Sequence, residues 1–360
     1  MDIFGNSFRI SVFGESHGGG IGVVMDGVPA GLSLSPDDFA ADLARRKSGA
    51  RGTTPRKEDD LPEILSGVHA GHTTGAPLAV LFRNTNVRSS DYSLFREIPR
   101  PGHADFVAGV KWHDFNDPRG GGHFSGRVTL ALVAAGVVAK KILRSPFAVA
   151  RLDAAGLPLP VSDPGEMFGI SASLVEVGGV TRDAAAASGG GDIVDASVLW
   201  AGVLDRAIAD GDSLGGVVEC RVTEVPVGLG EPFFDSVESL LSHALFSIPG
   251  VRGVEFGDGF RSAGMRGSEH NDPVVSPSGE TSGNGSGGIN GGITNGNPIV
   301  FRVAFKPTSS IRMTQHTWNF TTGRIGTLTV PGRHDVCFAL RTPVIVEAAA
   351  AVVLADLVLR

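Results

Sequence analysis

Three short stretches carry residues able to move protons. They are "GESHG" (14–18) with Ser16 and His17, "RPGHAD" (100–105) with His103 between Arg100 and Asp105, and "GRHDVC" (332–337) with Arg333, His334 and Asp335. An imidazole titrates near neutral pH, so a histidine held in a turn beside an arginine or a carboxylate suits general acid or base work. Arginines recur nearby at loop and helix ends: Arg45, Arg46, Arg51 and Arg56, then Arg100, Arg119, Arg127, Arg333 and Arg341. A planar guanidinium chelates phosphate or carboxylate through parallel hydrogen bonds, so their coincidence with glycine turns points to a site for a small polyanion. In "RGGGHFSGR" (119–127) three bare glycines precede His123, Phe124 and Ser125 and lead into a helix, whose free N–H groups attract anions.

Other patterns compete. "GESHG" fits the G-x-S-x-G nucleophile elbow, with Ser16 as nucleophile and His334 and Asp335 as partners, so a serine hydrolase is the alternative reading. The elbow needs strand, sharp turn and helix, whereas Gly18–Gly20 lead into a second β-branched run. "GNGSGG" (283–288) has dinucleotide-fingerprint spacing, but the "INGGITNG" that follows is too glycine-broken for the required helix, and no Walker lysine pattern is present. The ten histidines show neither HxH nor HExxH spacing, so no metal site is expected.

The elements that must position these residues are legible. Strand-like runs cover 8–13, 21–28, 77–82, 215–227 and 298–305, and glycine bounds them. Ser35 and Pro36 open a helix over 37–47 that closes on Arg45, Arg46 and Lys47; further helices are expected over 126–143, 194–211 and 233–247, with an apolar one from Pro343 buried on several sides. "SGGGDIVD" (188–195) reads as a loop. "VVMDGVPAGL" (23–32) resembles "RVTEVPVGLG" (221–230), and each is followed by a helix and a Gly/Arg loop, "SGARG" or "PGVRG". Such an internal duplication would turn both loops to one site. No linker separates the halves, so residues 1–360 read as one domain of α+β class with antiparallel sheets.

With 31 lysines and arginines against 38 aspartates and glutamates, the net charge of −7 argues against a nucleic-acid or anionic-membrane partner and for a small-molecule one. The apolar stretch at 344–359 is interrupted by Glu347 and Asp356, which suits a buried helix and not a membrane span. Cys220 and Cys337 lie far apart without CxxC spacing, and "MDIFGNSFRI" lacks a targeting pattern, so a reducing cytoplasm is the expected setting. The 51 glycines are about twice the usual share of roughly 7%.

Taken in order, "FGNSFRISVFGESHG", "RR" (45–46), "TTPRKEDD", "NTNVRSSDY", "RPGHAD", "RGGGHFSGR", "GVEFGDGF", "GGINGGITNG", "FKPTSS" and "GRHDVC" closely resemble chorismate synthase across nearly the whole chain. The resemblance implies a β-α-β sandwich, with helices between two antiparallel sheets, assembled as a homotetramer. It implies a lyase that eliminates phosphate and the pro-R C6 hydrogen from 5-enolpyruvylshikimate 3-phosphate to give chorismate, ending the shikimate pathway, with reduced FMN as cofactor. His17 resembles the acid for the departing phosphate, His103 the partner that protonates or tunes reduced flavin, and Asp335 the group assisting near flavin N5, with Ser16 orienting its neighbour. The family's anchors for substrate or NADP fall on Arg46 and Arg51, joined by Arg127. Flavin contacts fall on His123, Phe124, Ser125, Gly250, Gly291, Lys306, Pro307, Thr308, Ser309, Ser310 and Arg333. With no nicotinamide fingerprint, an external flavin reductase is expected in preference to the chain's own use of NADPH.

The chain departs from the pattern at His123 and Phe124, where many members carry arginine and serine, at Val128, often acidic, and at Asn86 and Val87, commonly aspartate and glutamine. A non-catalytic flavin-binding homologue is therefore a third reading beside the lyase and the hydrolase. His123 is expected to touch cofactor and not to catalyse.

Overall fold

The computed structural model describes residues 2–56, 58–86, 89–185, 196–332 and 334–360. Inside and outside residues alternate along the strands at 78–83, 216–223 and 299–305, as one-sided burial of a sheet requires. The first sheet orders its strands β1 (Ile3–Phe4), β2 (Arg9–Gly14), β3 (Gly20–Asp26), β7 (Leu78–Arg83) and β4 (Glu63–Ser66), every neighbour antiparallel. A short hairpin, β5 (Val68–His69) and β6 (His72–Thr73), projects from it. The second sheet runs β11 (Val251–Phe256), β14 (Ile299–Phe305), β10 (Gly216–Thr223), β8 (Gly169–Val177) and β9 (Val180–Thr181), again antiparallel. Hairpins β12 (Ile289–Asn290) with β13 (Ile293–Thr294) and β15 (Gln315–Asn319) with β16 (Arg324–Leu328) complete the strands.

The order β2-β3-β7-β4 is repeated as β8-β10-β14-β11. The turn after each repeated strand is stapled by a threonine from the equivalent hairpin. Thr73 Oγ1 accepts the Leu32 N–H at 2.9 Å and donates to the Pro29 carbonyl at 2.5 Å. Thr294 Oγ1 does the same for Leu229 at 2.9 Å and Pro226 at 2.7 Å. The weak likeness of 23–32 to 221–230 is thus a duplicated architecture with a duplicated hydrogen-bond pattern.

The longer helices are α1 (Ala40–Arg46), α2 (Asp105–Trp112), α3 (Thr129–Leu143), α4 (Pro146–Ala154), α5 (Ala201–Asp210), α6 (Val237–Phe246) and α7 (Pro343–Leu359). Helix α3 lies against the first sheet, α7 against the second, and the two pack on each other, so helices fill the space between the sheets as the resemblance implied. Both cysteines are buried and free. No described helix is long and apolar enough to cross a membrane.

Boundaries move for local reasons. The strand expected over 215–227 stops at Thr223 because Glu224 takes φ 52°. The helix expected from 126 starts at Thr129, after two short 3₁₀ turns, and that expected from 233 starts behind Ser236, whose hydroxyl accepts the Ser239 N–H at 3.1 Å. The 194–211 expectation resolves into Ala196–Leu199 and α5, its first two residues lying outside the described ones, as does the whole of the 188–195 loop.

Helix α7 is apolar all round except for two buried carboxylates with definite tasks. Glu347 takes a bidentate pair from Arg45 of α1 at 2.6 and 2.7 Å, Lys140 of α3 at 3.0 Å and the Ala172 N–H of β8 at 2.9 Å. Asp356 accepts the N–H groups of Asn6, Ser7 and Phe8 at 2.7 to 3.0 Å. The α3–α7 crossing is close because Gly136 has no side chain: a Cβ there would lie 2.5 Å from the Ala348 Cα. Gly136→Ala should therefore cost about 1–3 kcal/mol by overpacking. A lowered urea midpoint would show it, and an unchanged one would mean that the helices part freely.

Candidate active site

Between the two halves lies a cavity of about 900 Å³. Ser48 of "SGARG" and Pro249–Arg252 of "PGVRG" both line it, so the two repeat loops do face one site. Among the described residues, eight lysines and arginines line it against five aspartates and glutamates, in a chain whose net charge is −7. Such local excess attracts small polyanions.

One cationic pole is built from Arg46, Arg127 and Arg341. Arg46, at the end of α1, is 2% exposed; its Nη2 donates to the Gly126 and Arg127 carbonyls at 3.1 Å and its Nη1 lies 3.6 Å from Asp60. Burial, then Arg341 and Arg127 close by, push its pKa down to about 9 despite Asp60. Arg127 donates to Asp60 at 2.9 Å and to Asn84 at 2.7 Å, and its buried Nη2 has no partner among the described residues. Arg341 Nη2 donates to Asp335 at 2.7 Å, whose other oxygen accepts the Thr54 N–H at 2.9 Å. Sequence reasoning passed over Asp60 as a bridge, because its partners lie on other elements.

The second pole gathers Arg100, Lys306 and Arg252. Lys306 Nζ donates to the Gly102 carbonyl at 2.6 Å and to Ser309 at 2.9 Å, while Arg100 reaches Ser310 at 3.0 Å, so "KPTSS" and "RPGHAD" clamp each other. Burial and the neighbouring Arg252 lower the Lys306 pKa. Thr308 Oγ1 is buried without a partner.

Both histidines expected to act lie against the triple glycine. A Cβ on Gly120 would stand 2.6 Å from Ser16 Oγ and 2.8 Å from His17 Nε2; one on Gly121 would stand 3.4 Å from His103 Nε2. The loop is bare so that its backbone can pass the two imidazoles. His17 is 7% exposed and meets Tyr92 edge-on at 5.2 Å. Ser16 Oγ accepts from Arg56 at 3.2 Å, and Arg56 pairs with Glu58 at 2.7 Å. "GESHG" joins two antiparallel strands, and its serine faces a guanidinium that cannot serve as a base, so the elbow's strand-to-helix setting is missing.

His123, Phe124, Ser125, Gly250, Lys306–Ser310, His334 and Asp335 also line the cavity. His123 turns Nδ1 to the Gly14 carbonyl at 2.7 Å and Nε2 to Asp2 at 3.1 Å. Two expected contacts lie elsewhere in the chain. Arg51 is half-exposed and 3.5 Å from Asp205, and Gly291 tips the β12–β13 hairpin, where φ 60° accounts for the glycine. Arg333 falls outside the described residues. The residues that sequence reasoning missed are the holders Asp60 and Glu58 and the Tyr92 edge.

A Gly120→Ala protein should lose about 1–3 kcal/mol, from a side chain at φ 61° and from its collision with His17 and Ser16. The expected result is a lower urea midpoint with a displaced His17 imidazole resonance; no change in either would show room that this geometry denies.

The chorismate synthase family model matches residues 8–359. The chorismate synthase of Chitinophaga pinensis is 54% identical over 100% of this chain and 97% of its own length. That of Dehalococcoides mccartyi is 45% identical over 99% and 96%. A chorismate synthase crystal structure superposes with a TM-score of 0.67 at 27% identity, covering 98% of this chain and 92% of that one. The chain belongs to the chorismate synthase family of lyases.

Proposed function

We propose that this protein converts 5-enolpyruvylshikimate 3-phosphate to chorismate and phosphate by anti-1,4-elimination, the last step of the shikimate pathway, with reduced FMN bound in the same cavity. The observation that carries this reading is the excess of positive charge lining the cavity beside His17 and His103 in an acidic chain. The substrate bears a phosphate and two carboxylates, and the unpartnered Nη2 of Arg127 supports its capture there together with Arg46. Arg51, paired at the surface, enters the reading through the family resemblance alone.

The residues present fit a flavin mononucleotide. About 900 Å³ is at the upper end of small-molecule pockets. Ile10, Val12, Leu132, Phe246 and Val352 give it an apolar wall, while Lys306 and the unpartnered Thr308 hydroxyl offer donors to a phosphate. The proposed holders are His123, Phe124, Ser125, Gly250 and Lys306, Pro307, Thr308, Ser309 and Ser310, with Gly291 and Arg333 added by resemblance. Reduced FMN, when bound, supplies an electron that helps expel phosphate and regains it as the hydrogen leaves. His17 gives a proton to the departing phosphate, and Ser16, fixed by Arg56, orients it. His103 holds a proton for the reduced cofactor, and Asp335, fixed by Arg341 and Thr54, assists beside it.

In the protein without ligands, burial and then Arg100 and Lys306 lower the His103 pKa, so it is neutral at pH 7. Bound anions favour its protonated form, and catalysis then fails as pH rises through the pKa of the loaded site. The core shared by both halves supports one chorismate synthase domain over 1–360. Homotetrameric assembly, a cytoplasmic location and an external flavin reductase, in preference to bound NADPH, follow from the resemblance.

An anaerobic assay with substrate and chemically reduced FMN should show chorismate absorbance growing, and with oxidised FMN alone none; the opposite pattern would sink the mechanism. His17→Ala and His103→Ala should each lower turnover roughly a hundredfold or more. Near-normal rates would remove that histidine from the chemistry.

A further inference from the structure

We infer that Asp105 is a positioning residue for His103: its carboxylate holds the Nδ1 proton and so makes Nε2 the working nitrogen that faces the cavity. The inference deepens the reading of His103 above and rests on it. His103 Nδ1 has two polar neighbours, Asp105 Oδ1 at 2.6 Å and Arg100 Nη2 at 3.1 Å. They demand opposite protonation states. A guanidinium only donates and would need a bare Nδ1, whereas a carboxylate only accepts and needs Nδ1–H. The shorter contact to a full negative charge prevails, and Arg100 Nη2 is already engaged with the same oxygen at 2.7 Å.

Asp105 is itself held immovably. It opens α2, its Oδ2 accepts from Arg100 Nε at 2.7 Å and from the Arg100 N–H at 3.1 Å, and its side chain is 6% exposed. Arg100 in turn lies on the Phe95 ring at 4.3 Å and reaches Ser310 at 3.0 Å. Arg100 and His103 therefore keep the Asp105 carboxyl well below the usual carboxylate range in spite of its burial. On the other side of the imidazole, Nε2 lies beside Gly121, where a Cβ would stand 3.4 Å away, and His103 lines the cavity.

The arrangement does two things at once. It fixes the tautomer, and it balances the proton affinity. Among the described residues, the charged and titratable groups that act on His103 include Asp105, Arg100, Lys306 and His334. Asp105 alone raises its pKa, while burial, Arg100 and Lys306 lower it. The carboxylate thus offsets part of what burial and the two cations take from the proton affinity of the imidazole. Paired, they leave a neutral imidazole with its lone pair aimed at the site.

Nitrogen-15 NMR of the imidazoles in the full-length protein tests this. In the native protein His103 should show Nδ1–H with a bare Nε2 at pH 7.5. Asp105→Asn should move its titration midpoint to lower pH and cut turnover roughly tenfold or more, less than His103→Ala does. Asp105→Glu should restore the tautomer and part of the rate. An Nε2–H tautomer in the native protein overturns the inference without any variant, as does an Asp105→Asn protein with unchanged midpoint and pH profile. Full turnover by His103→Ala with the expected tautomer would instead reject the role assigned to His103.

Discussion

Arg46 and Arg127 are buried together with Asp60 between them, 3.6 and 2.9 Å away. Two guanidinium groups that close repel each other, and little water is present to screen them. The carboxylate removes most of that cost and sets the direction of both side chains. It does not consume every donor, since Arg127 Nη2 stays buried without a partner among the described residues. A buried donor left open in this way carries a desolvation cost that a hydrogen-bonding partner would remove. Asp335 with Arg341, Glu58 with Arg56 and Asp105 with Arg100 repeat the device around the cavity.

Holding such groups in place needs a scaffold that does not yield. Glu347 joins α1, α3, α7 and β8 through one carboxylate, and Arg45, the neighbour of Arg46, is one of its partners. The position of Arg46 is therefore tied to the centre of the molecule. Burial of Glu347 is tolerable because Arg45 and Lys140 outweigh it, keeping the Glu347 pKa below its ordinary value. That contribution to stability is present above the pKa of the unfolded chain and is lost as pH falls through the lower folded value.

The strands, the central helices and the motifs that carry the chemistry are legible in the sequence because each is local: alternation, capping and glycine turns act within a few residues. Their ends were less so, as Glu224 at positive φ shows. The holders were hidden for a different reason. Asp60 meets Arg127 across 67 residues and Glu347 meets Arg45 across 302, and only the topology decides such pairings. Glu347 and Asp356 read as interruptions of an apolar stretch, but nothing local reveals the cations and N–H groups that claim them. Gly291, a flavin contact by resemblance, also tips a hairpin at φ 60°, a conformation that favours glycine by itself.

The duplication explains how one cavity acquires unlike walls. The segment between β7 and α3 carries His103, the triple glycine, His123 and Arg127; the equivalent segment between β14 and α7 carries Lys306–Ser310, His334, Asp335 and Arg341. Arg127 and Arg341 each stand just before the first turn of a central helix, and each pairs with a carboxylate, Asp60 or Asp335. Two helix N-termini, with their partial positive charge, thus converge beside Arg46. The repeat supplies two matched cationic ends, while the segments leading to them have diverged, one towards proton-carrying imidazoles and the other towards hydroxyls and a lysine. They meet where Lys306 and Ser309 bind the Gly102 carbonyl, one residue before His103. A symmetric scaffold thereby presents an asymmetric site, as a substrate with different groups at its two ends requires.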